Sequence, residues 1–365
     1  MIRLTQESMV LDIRRQRLVS QHISHATFRK PEEVVAYLGA MQAQDYAAAK
    51  WAVGLRMLHA SDQQVEQAFN TGDILRTHVL RPTWHFVTPE DIGWMLALTA
   101  PRVHAANAHM YRRLELDDTV FERSQTALLT ALQGGQYRTR NELREVLGAA
   151  GVVADAAGRM SYLMMHAELD GIVCSGPRRG RQFTYALLDE RAPLAKRLDR
   201  DAALAELAQR YFVSRGPSRV NDLAKWSGLS GADARRGLAA VRDRLQRECL
   251  GDEEYWSGPL GPTDVAGPTA AHLLSVYDEY VSAYKGWSTI VDDATSRELI
   301  KMDNALNSIV VVDGRIVGTW KRTIRRHDVL VETNIMVPLT DLQERAVALA
   351  VREYGSFLGL PAVMA

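Results

Sequence analysis

Two glutamines, Gln42 and Gln44, stand one residue apart in the segment AYLGAMQAQDYAAAKWAVGLR, which runs from Ala36 to Arg56. The rest of the segment is apolar and alanine-rich, with helical periodicity. Residues two positions apart do not share a helix face, because neighbours on a helix are three or four positions apart. Either the pair lies at a solvent-exposed helix terminus, or both amides must point at one ligand atom.

Several common catalytic motifs are missing from the sequence. It contains no GxxxxGK[ST], no GxGxxG after a strand, no HExxH and no GxSxG. The ten histidines are scattered, and Cys174 and Cys249 lie too far apart to form a metal-ligand cluster. We therefore predict no phosphate-cradling loop, no metal site and no cofactor.

Composition leaves several classes of function open. The 365 residues, 47% of them hydrophobic, are enough for roughly two to four modules with cores of their own. The formal charge is zero, so any nucleic-acid binding must come from a local basic patch. No signal peptide opens the chain and no apolar run is long enough to span a membrane. We expect a cytoplasmic, nucleoid-associated protein.

Residues 124–188 predict three helices followed by a hairpin. The helices are SQTALLTALQGG, TRNELREVLGAAG and AGRMSYLMMHAELDG, and Thr139 and Glu142 are placed as a capping box. The segment IVCSGPRRGRQFTYALL then alternates and turns at GPRRGR. This order is typical of a winged helix-turn-helix, whose third helix and wing commonly contact DNA. The wing residues Arg178, Arg179 and Arg181 are expected to contact phosphates; alternatively, the tip is polar only because it is exposed.

Similar patterns on both sides of this stretch predict an α+β chain of tandem modules. Before it, PEEVVAYLGAMQAQ and YAAAKWAVGLRM are predicted helices, and ILRTHVLRPTWHFVT is a predicted wing. After it, a helix and a helix-turn-helix follow. We predict three tandem winged helix-turn-helix modules, at 1–117, 118–195 and 196–255. Residues 256–365 are predicted to form a small β-barrel or half-barrel, with a turn at Asp313-Gly314 and a C-terminal helix.

Four segments of the sequence together resemble a known family. The segments MQAQ, ILRTHVLRPTWHFV, YDEYVSAYKG and VDGRIVGTWKR occur in the order seen in bacterial winged-helix DNA glycosylases of the AlkZ and YcaQ type, and the resemblance extends over nearly the whole chain. It implies three winged helices and a β-barrel, C-shaped around DNA. Members excise N7-alkylated purines; some unhook interstrand crosslinks, and others give producers of DNA-alkylating antibiotics resistance to their own product. The family's catalytic motif, a glutamine, an apolar residue and a glutamine or aspartate, matches Gln42, Ala43 and Gln44.

The resemblance explains why two neutral amides could form a catalytic pair. Breaking an N-glycosidic bond passes through an oxocarbenium-like sugar and needs a water at C1′. A purine alkylated at N7 already carries positive charge, so its departure needs no general acid. The protein then has to orient the water and stabilise the sugar cation. We predict Gln42 and Gln44 as the catalytic residues, with Asp45, Thr83 and His85 in the substrate pocket. For Asp45 the alternative is a capping or ion-pairing residue, and for His85 it is a buried, hydrogen-bonded histidine.

The C-terminal hairpin is a second candidate for DNA contact. The turn at Asp313-Gly314 could act as a wedge in a groove. The residues expected to contact DNA there are Arg315, Thr319, Lys321 and Arg322. The alternative is plain barrel structure. The acidic segment that contains Asp278 and Glu279 is expected to attach the barrel to a winged helix.

The expected partner is double-stranded DNA carrying N7-alkylpurine lesions, bound by a monomer that makes no contact with membranes. Two other classes of protein stay open: a winged-helix transcriptional regulator, and a damage binder without catalysis. A combined glycosylase and lyase is disfavoured because no lysine adjoins the motif; Lys50 is the nearest.

Overall fold

The computed structural model describes residues 6–155, 158–259, 269–291, 295–297 and 308–365. No helix within these ranges is long and apolar enough to cross a membrane. The helices are α1 Gln6–Ser20, α2 Pro31–Leu38, α3 Tyr46–Gly54, α4 Asp62–Thr71, α5 Ile92–Arg113, α6 Asp118–Leu132, α7 Arg140–Ala149, α8 Arg159–Leu169, α9 Leu188–Arg191, α10 Arg200–Arg215, α11 Val220–Ser227, α12 Gly231–Val241, α13 Glu279–Ser282 and α14 Asp341–Leu358. The strands are β1 Met41–Gln42, β2 Leu75–His78, β3 Trp84–Val87, β4 Arg138–Thr139, β5 Val173–Ser175, β6 Thr184–Leu187, β7 Gln246–Leu250, β8 Glu253–Ser257, β9 Ala271–Leu274, β10 Ile309–Val312, β11 Arg315–Ile324, β12 Val329–Ile335 and β13 Ala362–Met364.

The N-terminal sheet corrects the helix predicted for PEEVVAYLGAMQAQ. Helix α2 ends at Leu38, because Gly39 takes a positive φ of 76° and its N–H bonds back to Ala36 O. The chain then enters β1, which pairs antiparallel with β3 in a sheet of order β1-β3-β2. The glutamine motif therefore begins on a strand and ends in the loop before α3.

The middle of the chain follows the predicted order of elements. Helices α6, α7 and α8 precede the antiparallel pair β5–β6. The capping box of Thr139 and Glu142 is present at the start of α7. Helices α10, α11 and α12 are followed by the ribbon β7–β8. The predicted elements are confirmed here, whereas the division of the chain into three modules stays a prediction.

The C-terminal part is a curled half-barrel sheet. Its five strands have the order β13-β12-β11-β10-β9, with β13 parallel to β12 and the other pairs antiparallel. The predicted hairpin turn is present, with Asp313 at φ 49° and Gly314 at φ 79°. Trp51 of α3 packs against Tyr354 of α14 and donates its indole N–H to Leu273 O at 2.7 Å. The N-terminal helices and the half-barrel sheet thus share one hydrophobic core.

Two buried ion pairs join the start of α13 to distant helices. Asp278, immediately before α13, pairs with Arg56, which follows α3, and Glu279, the first residue of α13, pairs with Arg215 at the end of α10. Asp278 accepts from Arg56 at 2.9 and 3.0 Å, and Glu279 accepts from Arg215 at 2.7 and 2.9 Å. At most 1% of each of these four side chains is exposed. The acidic segment attaches the half-barrel sheet to the helices, as the sequence predicts.

Candidate active site

The glutamine motif begins in the extended strand β1, in which alternate residues face the same side. Ala43 N–H donates to Trp84 O at 2.7 Å and continues the pairing of β1 with β3 past Gln42. Ala43 is fully buried in the core, whereas Gln42 is half-buried and Gln44 is exposed. A small middle residue packs inward, and the two amides can be presented together on the other side.

Two charged side chains hold the backbone of the motif. Arg76 of β2 donates from Nε to Ala43 O at 2.9 Å, with a longer contact from Nη2 to Gln44 O at 3.5 Å. Burial lowers the pKa of Arg76 to about 10, so the guanidinium stays charged at neutral pH. Glu279 accepts from Gln42 N–H at 3.0 Å. The path of the chain through the motif is therefore set from both sides.

His85 is the cross-strand partner of Gln42 on β3, and Thr77 is its partner on β2. Side chains of paired residues lie next to each other on one face of a sheet. His85 is fully buried, and its Nδ1 lies 2.9 Å from Thr83 O. Since a carbonyl can only accept, Nδ1 carries the hydrogen and Nε2 is an unprotonated acceptor. Burial, reinforced by the positive charge of Arg81, holds the pKa of His85 well below its usual value.

Several buried polar atoms around Gln42 have no hydrogen-bond partner in the described part of the chain. They are Gln42 Oε1, Thr77 Oγ1, Arg81 Nε and Nη2, Thr83 Oγ1 and His85 Nε2. Buried polar atoms are normally paired, so a concentration of unpaired ones points to a missing polar partner. The set offers acceptors and donors together, which suits a water and a polar ligand. We call these residues the unpaired cluster.

The structure gives Asp45 and Lys50 local partners. Asp45 is exposed and caps α3, with Oδ1 accepting from Ala48 N–H at 2.9 Å. The alternative prediction of a capping role is therefore confirmed. Lys50 Nζ lies 2.7 Å from Asp62 and 2.8 Å from Glu66. The Lys50 ammonium group therefore forms ion pairs with two carboxylates.

A cleft opens beside Trp84. The backbone N–H of Trp84 makes a long contact of 3.4 Å with Gln44 Oε1. The volume of the cleft is about 330 Å³, at the small end of the range for ligand pockets. It is lined by Arg76, Trp84, Thr139, Arg140, Asn141, Arg181, Gln182, Phe183 and Tyr185. The Arg76 guanidinium lies 4.2 Å from the ring centre of Trp84 and 4.8 Å from that of Phe183. Aromatic rings and arginines from strands β2 and β3, from the start of α7 and from the segment around β6 thus form the walls of a cleft beside the motif.

The three arginines between β5 and β6 have different surroundings. Only 15% of the Arg178 side chain is exposed, and its guanidinium packs over Phe183 and Tyr46. Arg179 forms an ion pair with Glu142 at 2.7 Å. Arg181 is exposed and lines the cleft. The structure therefore places Arg178 between elements, and Arg179 and Arg181 at the surface.

The turn at Asp313-Gly314 is enclosed, unlike the predicted wedge. Gly314 O accepts from the Tyr280 hydroxyl at 2.7 Å. A side chain at Gly314 would place its Cβ 2.7 Å from Arg14 Cβ, so α1 covers the turn closely. The predicted contact residues beyond it are mostly engaged: Thr319 is buried, Lys321 pairs with Glu332, and Arg322 lies over Tyr354. Arg315 is half-buried at the start of β11.

The opposite end of β11 carries the exposed tip of this sheet. Arg325, Arg326 and His327 are exposed between β11 and β12, and 57% of the neighbouring Ile324 is exposed. An apolar side chain among cations is the kind of tip that enters a DNA groove. Sequence reasoning missed it because the Asp-Gly signal drew attention to the other turn. It also missed Arg76, Thr77 and Arg81, which reach the site only through strand pairing. Glu279 was predicted only to attach the barrel, and its contact with Gln42 N–H is long-range.

Comparison with known proteins identifies the family. The family described as DNA glycosylase AlkZ-like matches residues 35–357. A curated relative, the interstrand DNA cross-link repair glycosylase of Streptomyces sahachiroi, is 23% identical over 330 residues, covering 84% of this chain and 85% of the relative. The solved structure of Streptomyces sahachiroi DNA glycosylase AlkZ superposes with a TM-score of 0.77 at 20% identity, covering both chains completely. The match to the family extends over the motif, the unpaired cluster and strands β9 to β12 of the half-barrel sheet. The chain belongs to the AlkZ-like family of DNA glycosylases, enzymes of DNA repair.

Proposed function

We propose that the chain is a monofunctional glycosylase that hydrolyses the N-glycosidic bond of N7-alkylated purines in duplex DNA. The observation that carries this proposal is the pair of unpaired acceptors, Gln42 Oε1 and His85 Nε2, on neighbouring strands. Two acceptors can receive the two hydrogens of one water and aim its lone pair at C1′. We propose that Thr83, whose buried hydroxyl has no partner among the described residues, borders this pocket together with Asp45.

The chemistry balances without a strong acid. The bond from C1′ to N9 breaks, and its electron pair neutralises the cationic alkylated ring, which leaves as a neutral base. The water oxygen then bonds to C1′ and becomes strongly acidic. A weak base is therefore enough to take the proton, and a neutral imidazole such as His85 meets this need. The exposed amide of Gln44 is available to the sugar and its phosphate. The positive charge of the N7-alkylated purine thus replaces the protonation that an undamaged purine would require to leave.

The cleft beside Gln44 supports a preference for bulky adducts. A planar group attached through N7 can contact Trp84 and Phe183, while Arg140 and Arg181 face the surrounding phosphates. The Streptomyces sahachiroi relative is named an interstrand DNA cross-link repair glycosylase. We extend crosslink unhooking, and self-resistance to a DNA-alkylating natural product, to this chain on that basis.

Binding to DNA would involve several surfaces. Arg179, Arg181 and the tip Arg325–His327 are exposed and suited to phosphates. The proposed arrangement is a cytoplasmic, nucleoid-associated monomer whose modules 1–117, 118–195 and 196–255, with residues 256–365, form a C-shape around the duplex. The order of helices and sheets supports this division.

The test is release of N7-methylguanine from a methylated duplex, measured as free base and as strand breaks after alkaline treatment. We expect base release by the wild-type protein and very little by the variant carrying Gln42→Ala and Gln44→Ala. Binding without release would instead support a damage binder or a regulator. Breaks formed without alkali would indicate an additional lyase activity.

A second substrate tests the cleft. We expect Phe183→Ala to lower kcat/KM for a duplex carrying an aromatic N7 adduct, and to leave kcat/KM for N7-methylguanine nearly unchanged. An equal loss on both substrates would instead place the target base, and not its adduct, in the cleft.

A further inference from the structure

His104, His166 and Asp170 form a compact group of potential metal ligands away from the glutamine motif. His104 lies on α5, His166 lies on α8, and Asp170 follows the last residue of α8. His104 Nε2 is 3.0 Å from Asp170 Oδ1, and His166 Nδ1 is 3.1 Å from Asp170 Oδ2. One ligand atom from each residue lies within 4.8 Å of the others. The side chains are 24%, 16% and 33% exposed, so an ion could enter from solvent.

Neighbouring side chains fix the orientation of both imidazole rings. The Tyr111 hydroxyl is 3.0 Å from His104 Nδ1, the ring nitrogen that does not face Asp170. The His166 ring stacks on Phe121 at 3.5 Å between centroids and 18° between planes. Histidines that bind metals usually make a hydrogen bond through their other nitrogen, which sets the tautomer and the ring orientation. Tyr111 occupies that position for His104.

Two of the ligand separations, those from each imidazole to one oxygen of Asp170, are close to those of a tetrahedral zinc site, and all three ligand atoms lie within 4.8 Å of one another. Zinc binds nitrogen and carboxylate oxygen at about 2.0–2.2 Å, which separates tetrahedral ligands by about 3.3 Å. The two contacts to Asp170 need to lengthen by only a few tenths of an ångström. In the metal-free group both facing nitrogens donate hydrogens to the carboxylate. When an ion binds the lone pairs of these nitrogens, each ring carries its hydrogen on the other nitrogen, which for His104 is the one that faces Tyr111. Because the ligands are two imidazoles and one carboxylate, the set suits zinc better than magnesium or calcium, which prefer oxygen.

We propose that His104, His166 and Asp170 bind one Zn²⁺ ion, which joins α5 to the end of α8 and leaves a fourth position for water. The role is structural. Glu168, on the last turn of α8, contacts His78 of β2 and the Trp84 indole of β3. A metal that ties α8 to α5 therefore stabilises the contact between α8 and the sheet that carries His85. The ion takes no part in cleavage of the glycosidic bond.

The test uses the untagged full-length protein, because a histidine tag would bind the same metals. Metal-free protein is titrated with Co²⁺, whose visible absorption reports tetrahedral coordination, and Zn²⁺ is then added in competition. We expect one equivalent of Co²⁺ to bind with a tetrahedral spectrum and to be displaced by Zn²⁺. Zn²⁺ should raise the melting temperature, and EDTA should reverse the rise. Excision of N7-methylguanine should be unchanged by EDTA at a temperature where the protein stays folded.

Matched variants assign the ligands. His104→Gln and His166→Gln should each weaken metal binding at least tenfold, and Tyr111→Phe should weaken it by about 10-fold through the outer contact. His109→Gln, an exposed histidine on the same helix, should bind as the wild type does. Circular dichroism and excision activity verify that each variant is folded. The proposal is overturned if Co²⁺ gives no tetrahedral spectrum, or if His104→Gln and His166→Gln bind Co²⁺ as tightly as the wild type.

Discussion

Gln42 and Gln44 are chemically identical but occupy different environments. The backbone N–H of Gln42 is held by buried Glu279, and its side chain is half-buried beside His85. Gln44 is exposed, and its carbonyl side-chain oxygen makes one long contact with Trp84 N–H. We infer that Gln42 orients the water and that Gln44 contacts the sugar or phosphate of the target nucleotide. The two substitutions should therefore differ in effect.

Replacing either glutamine by alanine should slow excision while leaving the fold intact. A preorganised contact to the transition state typically contributes about two to three orders of magnitude in rate. We expect Gln42→Ala to lose about that much and Gln44→Ala to lose less. The double variant should lose less than the product of the two factors, because both residues act on one reacting centre. Single-turnover excision of N7-methylguanine measures each rate, and the melting temperature verifies the fold. Wild-type rates for both single variants would contradict a catalytic role for the glutamines and would make Arg81 and Thr83 the next candidates.

The Gln44→Asp variant tests the tolerance of the second position. The substitution creates the Q-x-D form of the motif, and an exposed aspartate is ionised at neutral pH. A carboxylate can stabilise a sugar cation at least as well as an amide. We expect excision to be retained and substrate preference to change. Loss of activity as large as that of Gln44→Ala would show that the amide N–H, and not the oxygen, is required.

Burial of His272 predicts loss of stability in acid. It lies on β9, its Nε2 has no partner among the described residues, and burial lowers its pKa to about 4. The unfolded chain binds a proton near pH 6.5 and the folded chain only near pH 4, so folding is favoured above pH 6.5 and this contribution is lost as pH falls. The loss between pH 7 and pH 4 is on the order of 3 kcal/mol. Urea unfolding of His272→Gln should show a flatter pH dependence than the wild type, whereas His109→Gln should follow the wild type. Parallel curves for His272→Gln and the wild type would contradict the assignment.

At the scale of elements, the sequence predicted the features that depend on residues close together in the chain. The capping box at Thr139 and the Asp313-Gly314 turn depend on residues within a few positions of each other. The strand at Met41 and Gln42 was predicted as helix, because its alanine-rich surroundings favour a helix and its partner strand β3 lies far along the chain. Pairing with β3 overrides the local preference. Strand β1, which carries Gln42, was thus not predictable from its local sequence.

The tip between β11 and β12 should contribute to DNA binding through charge. Replacing Arg325, Arg326 and His327 with serine removes exposed side chains without disturbing the core, so the melting temperature should change little. Affinity for duplex DNA should fall, and the slope of log affinity against log salt should shrink by about 0.9 for each phosphate that the variant no longer neutralises. Fluorescence anisotropy over a range of salt concentrations measures both quantities.

The matched control carries Arg345→Ser and Arg352→Ser, two exposed arginines on α14. If it weakens binding as much as the tip variant, the effect is one of overall charge and not of the tip. Shortening the enclosed Asp313-Gly314 turn should instead lower the melting temperature, because the turn packs against Arg14 and Tyr280.

At the scale of the whole molecule, buried charge pairs connect distant parts of the chain. Arg56 and Asp278 are 222 residues apart, and Arg215 and Glu279 are 64 residues apart. No periodicity or local spacing predicts such pairs, although the acidic residues themselves stood out in the sequence. The resemblance to a family indicated the class of enzyme and the two glutamines. The structure adds how the backbone of the motif is anchored, since Glu279 joins Arg215 and Trp226 to Gln42.

Removing the charge of Glu279 should therefore destabilise the protein and disturb the motif together. Burial alone raises the pKa of Glu279, but Arg215 and the Gln42 N–H outweigh burial and hold the pKa below its ordinary value, so the carboxylate is ionised at neutral pH. Glu279→Gln keeps the shape of the side chain and leaves the Arg215 charge buried without a counterion. Breaking a buried pair in this way costs about 3–5 kcal/mol. We expect a lower melting temperature by calorimetry, and slower excision at temperatures where the variant remains folded.

Lys321→Ala provides the comparison at an exposed ion pair. Lys321 is 73% exposed and lies 3.1 Å from Glu332, and pairs of this kind contribute about 0–1 kcal/mol. Its melting temperature should stay close to that of the wild type. A combined Arg215→Met and Glu279→Leu variant separates charge from shape: removing both charges should restore part of the stability lost in Glu279→Gln, but should not restore excision, because Gln42 N–H then has no acceptor. Full excision by this variant would show that the anchor on Gln42 is dispensable for catalysis.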